Sequence, residues 1–290
     1  SGFTTFFASK MLRGRIKKLS APDYPPVFQV PSFKGHVYRL SDFVLDASSL
    51  LEDLLAPCGN RVIATDSGFA PRFEKNGNGN ITSATIRLTD GSSRKIKSQR
   101  FIFCAGEGNG PLIEQAELDQ PSMQIRPLHM LMIKHKLPYD LFAHCIGTGS
   151  KPRVTITTHK TEDGYRVWYM GGDIAENGID RDSEAQIKAG KKELHNLFPW
   201  LDFSDAQWAS FMINRAEQSQ QALVKPDTAF LHSEKSIFVA WPTKLTLAPD
   251  LGDRVMRQLN REHIQPACPA PDLQNLPKAE LAKPRWEELF

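Results

Sequence analysis

Cysteine is scarce in this sequence: Cys58, Cys104, Cys145 and Cys268 are the four among 290 residues. They lie far apart. No CxxC pair occurs, and no group of His and Cys has the spacing of a zinc site. That leaves no disulfide framework and no metal centre, and free thiols in a reducing, cytoplasmic compartment are expected. Long apolar runs are missing too. None approaches the ~20 residues of a membrane-spanning helix, so no integral membrane contact is expected. Neither sign of charge dominates, with 36 Lys and Arg against 33 Asp and Glu, a net charge of +3. Such a balance gives no footprint for a polyanion, and no nucleic-acid partner is expected. The stretch "GTGSKP" at 147–152 lacks the spacing of a P-loop, and no GxGxxG occurs anywhere in the 290 residues. Asn80-Ile81-Thr82 has the form of a glycosylation acceptor, which carries no meaning without a signal peptide.

What is present is the composition of a folded protein: 40% apolar and 24% charged residues over a length that allows one large domain or two interlocked ones. The chain opens "SGFTTFFASKMLRGR", without a leading strand, and residues 3–19 read as a helix entered part-way along. Its basic residues Lys10, Arg13, Arg15, Lys17 and Lys18 alternate with apolar ones. A core-packed helix with a solvated basic face accounts for this better than a membrane-surface helix. Four prolines make 21–33 an extended loop, and 35–46 also reads as extended. A short helix is expected over 47–57, capped by Asp46 or Ser48 and closed by Pro57, then a strand at 61–65. Asn-Gly-Asn-Gly and Asp-Gly mark tight turns in a β-meander that leads into Phe101–Cys104. The unbroken apolar run there predicts a strand buried on both faces.

From 121 the texture changes to alternating segments with a hairpin turn at 162–164 and one amphipathic helix at 182–198. This predicts a mainly antiparallel sheet covered by a helix. A buried strand at 236–241, a loop and a helix at 249–259 follow, and a tail with five prolines at 264–290 is expected to lie over the surface.

Two strand–loop–helix units therefore flank an antiparallel insert. One is "FIFCAGEGNGPLIEQAEL" (101–118), the other "IFVAWPTKLTLAPDLGDRVMRQL". Each offers backbone N–H groups and a helix N-terminus, suited to an anion or a dipole. Taken alone, Gly106, Gly108 and Gly110 fit a close turn as well.

The order of parts is more specific. Meander, apolar strand ending in Ala-Gly, antiparallel insert, "INRAEQ", then "IFVAWPTKLTLAP" resembles the FAD-dependent oxidoreductases of the D-amino-acid oxidase superfamily, in the branch of glycine oxidase and the 2-hydroxy-acid and glycerol-3-phosphate oxidising enzymes. Nearly all 290 residues follow that layout. The resemblance implies an α/β (α+β) fold: an incomplete Rossmann-like FAD-binding domain with a β-meander, plus an antiparallel-sheet substrate domain. Residues 1–42 would contribute to the substrate domain, 43–120 and 216–263 to the FAD-binding domain, and 121–215 would form the rest of the substrate domain before the tail at 264–290.

It also implies site residues. Cys104, Ala105, Gly106 and Gly108 would pass the adenosine half of FAD. Pro242, Thr243, Lys244, Leu245 and Thr246 would lie under the isoalloxazine ring. Arg215 stands where many members hold a substrate carboxylate, which implies a small anionic amino or hydroxy acid as substrate. Lys244 either adds formal charge beside the flavin or is a surface lysine. His129 is a candidate base, set against a satisfied histidine at the core edge. Arg126, Lys225 and Asp173 are secondary candidates that read better as structural residues. The family's opening GxGxxG unit has no counterpart here, so a C-terminal fragment that is inactive alone is expected. The alternative is a flavin-free binding module derived from such an enzyme. The sequence does not fix the oligomeric state.

Overall fold

A computed structural model describes residues 16–149, 151–219, 228–266 and 273–290. The expected helix at 3–15, Lys225 and Cys268 lie outside the described residues. The chain has a mixed α/β fold that divides into two compact units. One comprises Ser1–Leu50, Pro127–Ile213 and Ala282–Phe290; the other comprises Leu51–Arg126 and Asn214–Leu281.

The first unit is built on a five-stranded sheet. Its strands are β7 (Met123–His135), β8 (Ala143–Ile146), β9 (Pro152–Lys160), β10 (Arg166–Gly171) and β11 (Gln207–Gln218), in the order β11-β7-β10-β9-β8. The β9–β10 hairpin is antiparallel, Trp168 facing Thr158, and turns at Gly164 with φ +81°. On one face Leu131, Ile133, Ile156, Trp168 and Met170 are buried together with Leu194 of helix α4 (Ser183–Leu197) and with Phe198, which caps its C-terminus. Asp182 caps that helix, its side chain accepting from Ala185 N at 2.8 Å. Gly190 lets the helix approach the sheet: a Cβ there would stand 2.7 Å from Leu131 Cδ1. Leu128, Met130, Tyr169, Phe211 and Ile213 form a second apolar cluster. The end of the chain is also anchored within this unit. Trp286, in helix α6 (Arg285–Leu289), stacks on His159 with ring centroids 3.7 Å apart.

The second unit carries the meander, with β3 (Arg72–Lys75), β4 (Ile81–Arg87) and β5 (Ser93–Lys97) in sequence order. A second three-stranded sheet has the order β12-β13-β6, from Phe230–Glu234, Ile237–Trp241 and Phe101–Phe103. β13 is buried along its whole length. It runs antiparallel to β12 and parallel to β6, Val239 facing Phe103. Helix α2 (Asn109–Ala116) follows β6, and its Ile113 and Ala116 close the core with Phe103, Ile237, Val239 and Trp241. Helix α5 (Ala248–Arg261) follows β13.

Four expectations need correction. Residues 16–18 are not helical: Ile16–Lys18 is a strand, β1, paired antiparallel with β2 (Tyr38–Leu40). Residues 21–33 are not extended throughout: Ala21–Asp23 and Pro26–Phe28 are short 3-10 helices, each with a proline at its start, where the missing N–H costs nothing. Residues 61–65 form no strand but make two isolated bridges, Ile63 to Lys278 and Thr65 to Leu88. Finally, β6 is not buried on both faces. Ile102 is 41% exposed, because β6 is the edge of its sheet among the described residues and alternation turns Ile102 away from Phe103 and the core. The helix at 47–57 is observed as α1 (Ala47–Leu55), with Asp46 Oδ1 accepting from Ser48 N and Ser49 N.

Candidate active site

The two loops singled out from the sequence leave the same end of one parallel strand pair. β6 and β13 run side by side, so Cys104–Gly108 and Pro242–Leu247 both emerge at their carboxyl ends. In open α/β sheets that edge is where ligands bind. Two side chains tie the loops together. Trp241, the last residue of β13, donates from Nε1 to Gly106 O at 3.0 Å. Asn109, fully buried at the start of α2, accepts from Ala105 N at 2.8 Å and donates to Ala240 O at 3.1 Å. One carboxamide thus holds the glycine turn on one side and the neighbouring strand on the other.

The glycine turn has the backbone this requires. Gly106 sits at φ +58°, and a Cβ there would meet nothing within 4 Å, so the space before it is open. Cys104, Ala105, Gly106 and Gly108 are all exposed. Glu107 accepts from Asn214 Nδ2 at 2.9 Å, which joins the turn to the end of β11.

The second loop is tightly folded. Thr243 has φ +60°, a left-handed conformation unusual for a β-branched residue and of the kind that concentrates at functional sites. Its hydroxyl donates to Pro242 O at 2.6 Å, and Lys244 N donates to the same oxygen at 2.7 Å. Lys244, Leu245 and Thr246 are exposed ahead of α5. The first turn of α5 carries Asp250, whose carboxyl is held below its usual range mainly by the Arg254 guanidinium at 2.8 Å.

Arg215 follows Asn214 in β11, and period-two alternation turns it to the face that carries Glu217. Glu217 is largely buried and pairs with Arg126, Nε to Oε1 at 2.6 Å, so Arg126 is taken up in an ion pair. His129 lies in the other unit and is 4% exposed. Its Nδ1 is 3.0 Å from Gly178 O and its Nε2 3.0 Å from Ser210 Oγ, so both ring nitrogens are occupied. Asp173 opens the short helix α3 (Asp173–Glu176) behind Gly172, as a turn residue does. Among the described residues no group of three His, Cys, Asp or Glu stands close enough to hold a metal ion, and no helix is long and apolar enough to cross a membrane.

Asn109 and Trp241 were not among the candidates from sequence. An Asn directly after "GEG" and before a helix is the available signal for the first. Trp241 reads only as the end of an apolar run.

A strand–glycine turn–helix beside a strand–loop–helix, joined at one sheet edge with an antiparallel sheet inserted between them in the chain, is the arrangement of a flavoprotein oxidoreductase. Comparison with known proteins gives the same answer. The chain is 44% identical over 288 residues to a probable FAD-dependent oxidoreductase of Pseudomonas aeruginosa, PA4991, covering 99% of this chain and 71% of that protein. The crystal structure of PA4991 superposes with a TM-score of 0.84 at 41% identity, over 94% of this chain and 74% of that one. An FAD-bound L-α-glycerophosphate oxidase from Mycoplasma pneumoniae aligns with a TM-score of 0.53 over 93% of this chain and 70% of that one; at 13% identity the likeness is one of fold. No family model matches the sequence. The chain belongs to the FAD-dependent oxidoreductases, enzymes that act on small-molecule substrates.

Proposed function

We propose that the chain forms the adenosine side and the ring side of an FAD site in an oxidase related to the D-amino-acid and glycerol-3-phosphate oxidising enzymes, and that its substrate is a small anionic amino or hydroxy acid. The observation that carries this reading is the Trp241–Gly106 hydrogen bond, which fixes the two loops side by side at the carboxyl ends of β6 and β13. The open approach to Gly106 suits a flat ligand lying against the turn. Bound there, FAD would accept the substrate's hydride, and the rest of the task falls to the protein. The backbone of 104–108 lines the adenosine side. The loop at 242–246 and the N-terminus of α5 offer N–H dipoles to negative charge on the ring.

Arg215 supplies the cation for the substrate carboxylate, a charge-assisted contact that orients the reacting carbon. Where turnover is measured, Arg215→Ala should raise KM at least tenfold and Arg215→Lys much less. An unchanged KM accompanied by lost stability would make Arg215 a structural partner of the Glu217 cluster instead. His129, with both nitrogens engaged, has a structural part in this proposal. The free thiols of Cys58, Cys104 and Cys145 fit a reducing compartment such as the cytoplasm.

These 290 residues contain no GxGxxG turn for the pyrophosphate. The absence of several charge-assisted hydrogen bonds, each about 1.5–3 kcal/mol, weakens binding by orders of magnitude. The chain alone is therefore expected to quench FAD fluorescence saturably but to lose the flavin on desalting. A stoichiometric flavin band after desalting would contradict the weak retention. No quenching at millimolar protein would remove the loop site itself.

A further inference from the structure

We propose that helix α5 carries, in its C-terminal half, a second binding site for a small organic phosphate. A groove of about 350 Å³ is lined there by Arg254, Arg257, Gln258 and Arg261 of α5 and by Leu231 of β12. The three arginines fall at i, i+3 and i+7, which puts them on one stripe of the helix with side chains about a turn apart.

Their pairing is unequal. Arg254 is engaged by Asp250 at 2.8 Å. Arg257 and Arg261 pair with no carboxylate among the described residues. Asp253, four residues before Arg257, makes no ion pair with it, and Glu262, next to Arg261, is committed elsewhere: it accepts from Arg100 Nε at 2.5 Å, from Gln258 Nε2 at 2.8 Å and from Ser233 Oγ at 3.2 Å. Arg257 and Arg261 thus line the same groove with no carboxylate among the described residues within ion-pair distance of either, the field of Asp250, already bonded to Arg254, being the one acidic charge that Arg257 shares. Like charges one turn apart on a helix repel, and an anion between them relieves that repulsion.

The residue types narrow the ligand. All three cations are arginine, whose planar fork binds phosphate oxygens in pairs, whereas lysine presents a point charge. Leu231 gives the groove an apolar wall for an organic body. The volume suits a small molecule, and a net charge of +3 over the whole chain does not supply the extended basic surface that a nucleic acid needs. The groove is distinct from the flavin loops, which precede α5, so this site stands or falls independently of the proposed function.

The test is isothermal titration of the full chain with inorganic pyrophosphate at 150 mM salt. Saturable one-site binding is expected. The double variant Arg257→Gln/Arg261→Gln should weaken it at least tenfold while keeping the helix, since glutamine is a good helix former. Arg257→Lys/Arg261→Lys should weaken it about threefold, because charge is kept and the fork is lost. As a second readout on the unaltered protein, pyrophosphate should protect Arg257 and Arg261 from phenylglyoxal, mapped by mass spectrometry. Equal affinity in the glutamine variant, absence of protection at both residues, or equal competition by sulfate at matched ionic strength would each overturn the proposal.

Discussion

Asn109→Ala is expected to destabilise the second unit by about 2–4 kcal/mol. The residue is fully buried and makes two hydrogen bonds, to Ala105 N and Ala240 O. Alanine removes both and leaves a carbonyl of the buried strand β13 without that donor. A buried polar group left unpaired costs about 1–3 kcal/mol, and the emptied volume adds a cavity cost. Asn109→Asp separates the two bonds. A carboxylate can still accept from Ala105 N, but it cannot donate to Ala240 O and repels it, so aspartate should be no better tolerated than alanine. Trp241→Phe removes the parallel tie to Gly106 with little loss of volume, at an expected cost of about 1 kcal/mol. Because both side chains hold the same turn, the double variant should deviate from additivity by more than about 0.5 kcal/mol. Urea unfolding of the four proteins measures this. Additive losses would mean that the turn is held by its own glycine geometry. The same variants should weaken FAD quenching in proportion, since the turn they hold is the proposed adenosine side.

How far the sequence revealed this arrangement depends on the length of each signal. Helix α4 was legible to within one residue at either end, because its fifteen residues repeat with helical period behind an Asp cap. The meander was legible because Asn-Gly and Asp-Gly leave few alternatives to tight turns. Three-residue strands have no such periodicity. β1 continues a basic, apolar-interleaved stretch that reads as helix, and only its pairing with β2, about twenty residues away, makes it a strand. Residues 61–65 have a strand-like composition, but their two isolated bridges go to Lys278 in the tail and to Leu88, pairings that nothing local encodes. Ile102 shows the limit of an apolar run: hydrophobicity says that a strand meets a core, not whether it stands in the middle of a sheet or at its edge. For the candidate site, the glycine turn and the Pro-Thr-Lys loop were visible as loops. Their convergence depends on the parallel register of β6 and β13, and the positive φ at Thr243 is a conformation that a threonine does not advertise.

The antiparallel sheet should lose stability steeply below neutral pH, and His135 should account for most of that loss. Its side chain, at the end of β7, is 3% exposed and edge-on to Trp168 and Phe203, with centroids 4.8 and 6.1 Å away. Neither ring nitrogen has a hydrogen-bond partner among the described residues. Burial first, and then the positive charge of Arg166, push its pKa down to about 4. In the unfolded chain the imidazole takes its proton near pH 6.5. Above that pH it is neutral in both states and makes no pH-dependent contribution. As the pH falls from 6.5 towards 4 the unfolded state binds a proton that the folded state refuses, and stability declines by about 1.4 kcal/mol per unit, about 3 kcal/mol in all. His159, also lowered by burial although Asp46 opposes the shift, adds to the same window. The paired carboxylates act lower. Asp163, held at about 2 chiefly by Lys134 and then by Thr161, loses its contribution only as the pH falls from about 4 to about 2. His135→Leu should therefore flatten the stability profile between pH 6.5 and 4.5 while changing stability at pH 7.5 by less than about 1.5 kcal/mol, since the leucine leaves the aromatic contacts largely filled. Urea midpoints across that range decide it. A slope that is unchanged in His135→Leu would show that the ring accepts its proton within the folded sheet.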